Sequence, residues 1–157
     1  METYISIIAA CTALAAVIVG PIVSFRITKR QISASTVTIS RQRWINDLRD
    51  AIANFNAKAS MIYSLASNNY ADEHSISRIE ELVQLNYKIE LLINPNEEDH
   101  AKIVKIVDHI TASLRLAKVR TNEIGDELDG KKEELISLSQ KVLKREWQRV
   151  KKGEPSR

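Results

Sequence analysis

The chain has 157 residues, a formal net charge of +3 and a single cysteine, Cys11. One cysteine excludes an intramolecular disulfide, and this length allows no more than one modest hydrophobic core. Aromatic residues make up 5% of the chain, with only four glycines and three prolines. This composition disfavours turn-rich β structure and favours long helices.

The first long segment, residues 4–25, carries no charged side chain. A helix needs about 20 apolar residues to cross a hydrocarbon core of roughly 30 Å, so we expect a transmembrane helix over 4–25. A cleaved signal peptide is the first alternative, but the segment before the apolar run lacks Lys and Arg and the run itself is long. A buried core helix is the second alternative.

Basic residues follow the apolar segment directly. Arg26, Lys29 and Arg30 outweigh Glu2 on the other side. The positive-inside rule then predicts a single-pass protein of the inner (plasma) membrane, with its N-terminus outside and its C-terminus in the cytoplasm. The same three residues are predicted to lie at the membrane surface, against anionic head groups of the lipid bilayer.

Small residues recur within the apolar segment. Ala9, Ala13, Ala16 and Gly20 fall at 4-3-4 spacing and share one face of a helix. Small residues let two membrane helices approach closely, which predicts self-association of the span and a homo-oligomer. The competing interpretation is that alanine is simply common in such segments.

A Ser/Thr-rich connector, predicted to adjoin the membrane, occupies residues 26–40, and a helical bundle domain is predicted over 41–152. Three apolar stripes at helical spacing indicate its first helices. They are Ile45, Leu48, Ile52, Phe55, Ala59 and Ile62; then Ile79, Leu82, Val83, Ile89, Leu92 and Ile93; then Ile103, Val107, Ile110, Leu114 and Ala117. Asn94 is expected to cap the third helix, with Pro95 as its first residue. Residues 153–157 are predicted to be a disordered tail.

The pattern after the third stripe is open to two interpretations. Its heptad phase continues through Ile124, Leu128, Leu135, Leu138 and Val142, which favours one helix over residues 97–151 and a coiled-coil seam. Gly125 and Gly130 each cost about 1 kcal/mol inside a helix relative to alanine. We therefore favour a turn at 125–130, which would give an antiparallel hairpin.

Charge is unevenly distributed along the chain. Residues 26–60 hold seven basic and two acidic residues, 72–99 two basic and eight acidic, and 131–152 eight basic and three acidic. An acidic middle between basic segments indicates mutual packing, or a basic surface facing anionic lipid.

No pattern predicts an enzyme or a cofactor. Residues 97–100 contain Glu-x-x-His, but di-iron bundles need that motif twice, and helix capping explains these acids. The glycines stand alone, so no phosphate loop is indicated. The basic C-terminal segment has clustered Lys and Arg, but Leu143, Trp147 and Val150 share a face, so nucleic-acid binding is not favoured.

Residues 41–49 read Arg-Gln-Arg-Trp-Ile-Asn-Asp-Leu-Arg. This stretch, following one apolar segment, resembles small bacterial and prophage single-span membrane proteins of unassigned function, and the resemblance implies topology but no mechanism. Arginine forks suit carboxylates, which favours an internal salt-bridge seam with the acidic second helix. The alternative is that this stretch and the C-terminal tryptophan contact a protein partner. The candidates are Arg41, Arg43, Trp44, Arg49 and Trp147.

The sequence thus predicts an all-α protein with one N-terminal transmembrane helix followed by a cytoplasmic bundle of three or four helices. The leading functional hypothesis is a non-enzymatic, membrane-anchored interaction protein that works by self-association or partner binding at the cytoplasmic face. The alternative is a small oligomeric, membrane-perturbing (pore-forming) effector in phage defence or exclusion.

Overall fold

The computed structural model describes residues 1–68, 75–115 and 122–152, and the regular elements within these ranges are all α-helices. They are α1 (Glu2–Ser67), α2 (Ser75–Leu92), α3 (Glu98–Arg115) and α4 (Asn122–Lys152). The side chains at positions 2, 6–11, 13–16, 18, 30, 33–34, 75 and 122–124 lie outside this description.

Helix α1 is 66 residues long and spans about 100 Å at 1.5 Å per residue. The Ser/Thr-rich segment does not interrupt it, because the Ser35 and Thr36 hydroxyls donate to the carbonyl of Ile32 at 2.9 and 2.8 Å. These bonds satisfy the hydroxyls inside the helix. Every described side chain in 1–37 is exposed. We call residues 2–40 the arm and 41–67 the bundle half of α1.

The core forms where the bundle half meets the other helices. The described residues of the predicted stripes converge there except for Val83, while Ala117 lies outside the described residues, and Leu48 and Ile110 are both fully buried as expected. The buried apolar side chains of the core are Leu48, Ala51, Ile52, Phe55, Ala59, Leu82, Ile89, Ile93, Ile103, Ile106, Val107, Ile110, Leu114, Leu128, Leu135 and Val142. The prediction of a helical bundle is confirmed.

Helices α3 and α4 form an antiparallel pair. His109 of α3 lies 2.9 Å from Glu127 near the start of α4, whereas Arg145 near the end of α4 contacts Glu97 at the start of α3. The hairpin is therefore present, but residues 125–130, where we expected its turn, are helical.

Gly125 has a packing role instead of a turn role. A Cβ at this position would overlap the hydroxyl of Tyr63 on α1. With any other residue at this position, the Tyr63 side chain would have to shift, so glycine suits the present packing of Tyr63 against α4. Gly130 has nothing within 4 Å of such a Cβ.

The start of α3 also differs from the prediction. The helix begins at Glu98, not at Pro95, and the Asn94 side-chain oxygen accepts from the backbone N–H of Asn96 at 3.1 Å. Asn94 thus stabilises a local turn before the helix. Glu98 and Asp99 lie in the first turn of α3, where carboxylates favour the positive end of the helix dipole.

The predicted transmembrane helix over 4–25 is wrong. Within the described residues, no helix combines the length and the apolar composition needed to cross a bilayer. The prediction of a single-pass protein with its N-terminus outside the inner membrane and its C-terminus in the cytoplasm is wrong for the same reason.

The residues assigned to membrane contacts lie on the arm. Arg26 and Lys29 are exposed, and the side chain of Arg30 lies outside the described residues. Gly20 is exposed with open space around it. The side chains of Ala9, Ala13 and Ala16 are also outside the described residues, as is the predicted tail at 153–157.

The burial of Leu48 and Ile110 gives a direct test of the core. Leu48→Ala or Ile110→Ala should lower the free energy of unfolding by about 2–4 kcal/mol, because each leaves a cavity among packed side chains. Urea unfolding of the full chain measures this change. Leu91→Ala is the matched control, since Leu91 is 88% exposed. An equal effect of all three substitutions would contradict the assigned core.

Candidate functional site

A cleft of about 1010 Å³ opens where the end of the arm meets the start of α3 and the end of α4. Trp44, Leu92 and His100 form part of its wall. Most of its other lining residues are charged. These are Arg41, Glu97, Glu98, Asp99, Lys141, Arg145, Glu146 and Arg149.

The carboxylate of Glu146 is buried beside three guanidinium groups. Arg149 donates to its Oε1 at 2.5 Å, and the Nε atom of Arg145 lies 3.7 Å from the same oxygen. Arg41 Nε lies 3.8 Å from Oε2, and the side chains of Arg41 and Glu146 are both largely inaccessible. A buried carboxylate needs such partners because desolvation of an unpaired charge is costly. Glu146 thus joins α1 to α4.

Arg145 joins α4 to the start of α3. Its two terminal nitrogens donate to different carboxylates, Nη1 to Asp99 at 2.9 Å and Nη2 to Glu97 at 2.8 Å. Burial alone would raise the pKa of Asp99, but the bond from Arg145 and the positive charge of Lys141 outweigh it and hold that pKa below its ordinary value. This clamp pairs the acidic middle of the chain with the basic C-terminal segment.

Trp44 and His100 close the inner wall of the cleft. The Trp44 indole Nε1 donates to the carbonyl of Leu92 at the end of α2, at 2.5 Å. Its ring stacks on the His100 ring with 6.1 Å between the centroids and 30° between the planes. Trp44 therefore ties α1 to the end of α2 and to α3 at once.

The bonds of His100 define its tautomer. Its Nδ1 accepts from the backbone N–H of Asn94 at 3.1 Å, so the proton of the neutral ring is on Nε2. Nε2 is buried without a hydrogen-bond partner, 3.8 Å from the Glu97 carboxylate. Burial lowers the pKa of His100, against the opposing charge of Glu97, so the ring is kept neutral.

The ionised side chains of the cleft neutralise one another. Four of them are carboxylates and four are cations, and the described ion pairs connect them across α1, α3 and α4. Such a network fixes the mutual positions of helices, and it presents little uncompensated charge to a ligand. The cleft therefore acts first as the joint that sets the end of the arm against the bundle.

The candidate partner contacts separate into two places. Arg41 and Trp44 line the cleft, where both have intramolecular contacts. Arg49 and Trp147 line a second depression, which we call the α1/α4 groove. Its residues are Gln42, Ile45, Asn46, Arg49, Gln140, Leu143, Lys144 and Trp147. Arg43 is exposed and lines neither feature.

Sequence reasoning missed the two residues that hold the cleft together. Glu146 is the only acidic residue within 141–152, a signal that it neutralises neighbouring cations. Arg145 stands among other basic residues, and nothing in its sequence distinguishes it from solvated neighbours. His100 was considered only as part of a metal motif. In the described part of the chain, no group of three or more His, Cys, Asp or Glu residues is placed to hold a metal ion.

Comparisons with protein-family models, with characterised proteins and with solved structures gave no match for this chain. The resemblance of residues 41–49 to small bacterial and prophage membrane proteins therefore stays a prediction, and the function must be argued from the geometry.

Arg145→Lys should destabilise the protein by about 1–2 kcal/mol, because a lysine ammonium cannot reproduce the fork that binds two carboxylates. Chemical unfolding of the full chain measures the loss. Lys102→Gln is the control, because it removes only a solvent-exposed pair with Glu98 within one helix, and it should leave the stability nearly unchanged. Equal stability of the Arg145→Lys variant and the unmodified chain would show that the clamp does not hold α3 against α4.

The free energy of unfolding should also decrease at acidic pH because His100 becomes protonated. Its pKa in the folded state lies below the ordinary value of 6.5, so the unfolded chain binds the extra proton more readily. The stabilising contribution of neutral His100 is complete above pH 6.5. It is lost as the pH falls through the lower pKa that His100 has in the folded state. Protonated Nδ1 can no longer accept from Asn94. The unfolding free energy of His100→Asn should therefore change less than that of the unmodified chain between pH 7 and pH 5. A parallel decline in both proteins would contradict this role.

Proposed function

We propose that this chain is a non-enzymatic helical interaction protein that works by association, and that the arm of α1 is its self-association element. The observation that supports this is the exposure of large apolar side chains along the arm. Phe25 is 78% exposed, Val17 71% and Ile32 60%. Among the described residues, none of these three side chains belongs to the core of the bundle or packs against it.

The exposed apolar surface is far more than scattered single residues. Apart from Met1, the exposed large hydrophobic side chains of the arm are Tyr4, Ile5, Val17, Val19, Ile22, Val23, Phe25, Ile27, Ile32, Val37 and Ile39. Contiguous apolar surface beyond a few hundred Å² usually marks an interaction site. The intrinsic helix propensity of its residues gives an isolated helix little stability in water. Most helical stability in proteins comes from tertiary packing. The arm therefore requires a partner along its length.

A second copy of the chain meets this requirement. Phe25, Ile32 and Ile39 are exposed at heptad spacing, so they repeat along one side of the helix about 10.5 Å apart. An identical arm presents the same spacing, and two such stripes can interdigitate along a shared seam. Ile22, three residues before Phe25, lies on the same side as this stripe, whereas Val23 and Ile27 point to other sides of the helix and remain available to further copies.

The pore-forming alternative is not supported by the described residues, since it needs a helix that crosses a bilayer and none is found among them. Binding of the arm to a different partner, such as a lipid surface, is distinguished from self-association by the following experiment.

Sedimentation of the full chain over a range of concentrations should show a discrete multiple of the monomer mass. The double variant Phe25→Glu, Ile32→Glu should shift this species to monomer, because it places carboxylates in the seam. Ile76→Glu is the matched control, as Ile76 is 73% exposed but lies on α2.

Two outcomes would contradict the proposal. One is a chain that stays monomeric at every concentration while its arm binds phosphatidylcholine vesicles. The other is an oligomer whose mass is unaltered by the arm substitutions but reduced by Ile76→Glu, which would place the interface on the bundle.

A further inference from the structure

The α1/α4 groove differs from the cleft in its charge. The groove has two cationic residues, Arg49 and Lys144, and no carboxylate lines it. In the cleft, by contrast, Arg145 and Arg149 are both held by carboxylates. Among the described residues, neither Arg49 nor Lys144 has an acidic partner, and Arg49 donates only to the side-chain oxygen of Asn46, at 3.1 Å.

The floor and rim of the groove complement these cations. The half-buried Leu143 provides apolar surface between the two helices above the nearly inaccessible Ile45, and Trp147 is 39% exposed at one side. The ammonium of Lys151 lies 5.7 Å from the centre of the Trp147 ring, which adds positive charge beside it. Gln42, Asn46 and Gln140 offer neutral amide groups along the rim.

Two acidic residues of α1, Asp47 and Asp50, lie close to Arg49 in sequence, and neither forms an ion pair with it among the described residues. Asp47 lines a different depression, together with Tyr87 and Lys88 of α2. The positive charge of Arg49 is therefore available to a ligand, at a position where an apolar side chain of that ligand can be buried beside it.

We propose that the α1/α4 groove is a docking site for an acidic amphipathic helix of a partner protein. The groove follows residues 42–49 of α1 and 140–147 of α4, about two helical turns on each. A helix laid along it places apolar side chains at i and i+4 or i+7 onto Leu143 and Trp147, a common mode of peptide recognition. Its flanking Glu or Asp residues pair with Arg49 and Lys144.

Charge density favours a protein over a nucleic acid as the occupant. Nucleic-acid binding relies on several clustered phosphate contacts, and the groove offers two cations over an apolar floor. Aromatic and arginine side chains in a partly apolar depression are instead the usual anchors of protein interfaces. This site uses different residues from the arm, so it stands independently of self-association.

The test uses the full chain and a synthetic, labelled helical peptide with leucines along one face and glutamates beside them. Fluorescence anisotropy should show saturable binding that weakens at higher salt. The same peptide with every glutamate replaced by glutamine should bind at least tenfold more weakly.

The protein variants locate the site. Arg49→Glu with Lys144→Glu should weaken peptide binding at least tenfold, and Arg49→Gln with Lys144→Gln should weaken it less. Lys88→Glu with Lys105→Glu is the matched control, since both residues are exposed, lie outside the groove and change the net charge equally. Circular dichroism confirms that each variant is folded.

Three results would overturn the proposal. The first is equal binding of the glutamate and glutamine peptides. The second is tighter binding of a single-stranded oligonucleotide than of the peptide, if the Arg49/Lys144 variant abolishes that oligonucleotide binding. The third is a change in the oligomer mass of that variant, which would assign the groove to a contact between copies of this chain.

Discussion

The contact on which the other three helices depend is the buried stripe of the bundle half of α1. Leu48, Phe55 and Ala59 are fully inaccessible at its centre, and the core side chains of α2, α3 and α4 pack around this stripe. Full burial of one large apolar side chain contributes about 1.5–3 kcal/mol relative to exposure. The short helices α2 and α3, at 18 residues each, would be marginal alone and owe their order to this packing.

The polar contacts act at the end of the bundle next to the arm, and they decide geometry more than stability. Arg145 and Glu146 bring the end of α4 to α3 and α1, while Trp44 and His100 join α1 to the turn between α2 and α3. A buried ion pair gains little net energy over apolar packing, but losing one partner is costly. The arm thus meets the bundle at the point where α1 contacts the end of α2, the start of α3 and the end of α4.

The periodicity of apolar residues predicted the bundle because burial repeats at helical spacing, as at Leu48 and Ile110. It could not predict the role of Gly125, since the close approach of Tyr63 is a tertiary contact with no local signal. The candidate site was predicted in part. Arg41 and Trp44 do reach the cleft, but the pairing of Glu146 with arginines from two helices depends on the fold. The membrane span predicted over 4–25 is wrong, since no helix in the described part of the chain is both long and apolar enough to cross a bilayer.

We propose that the chain divides into a bundle that is stable by itself and an arm that needs a second copy. Hydrogen–deuterium exchange of the full chain at increasing protein concentration tests this division most directly, because exchange reports local opening. Amides at 45–60 should be protected at every concentration, whereas amides at 17–39 should gain protection as the concentration rises. Protection of 17–39 that does not vary with concentration would contradict it.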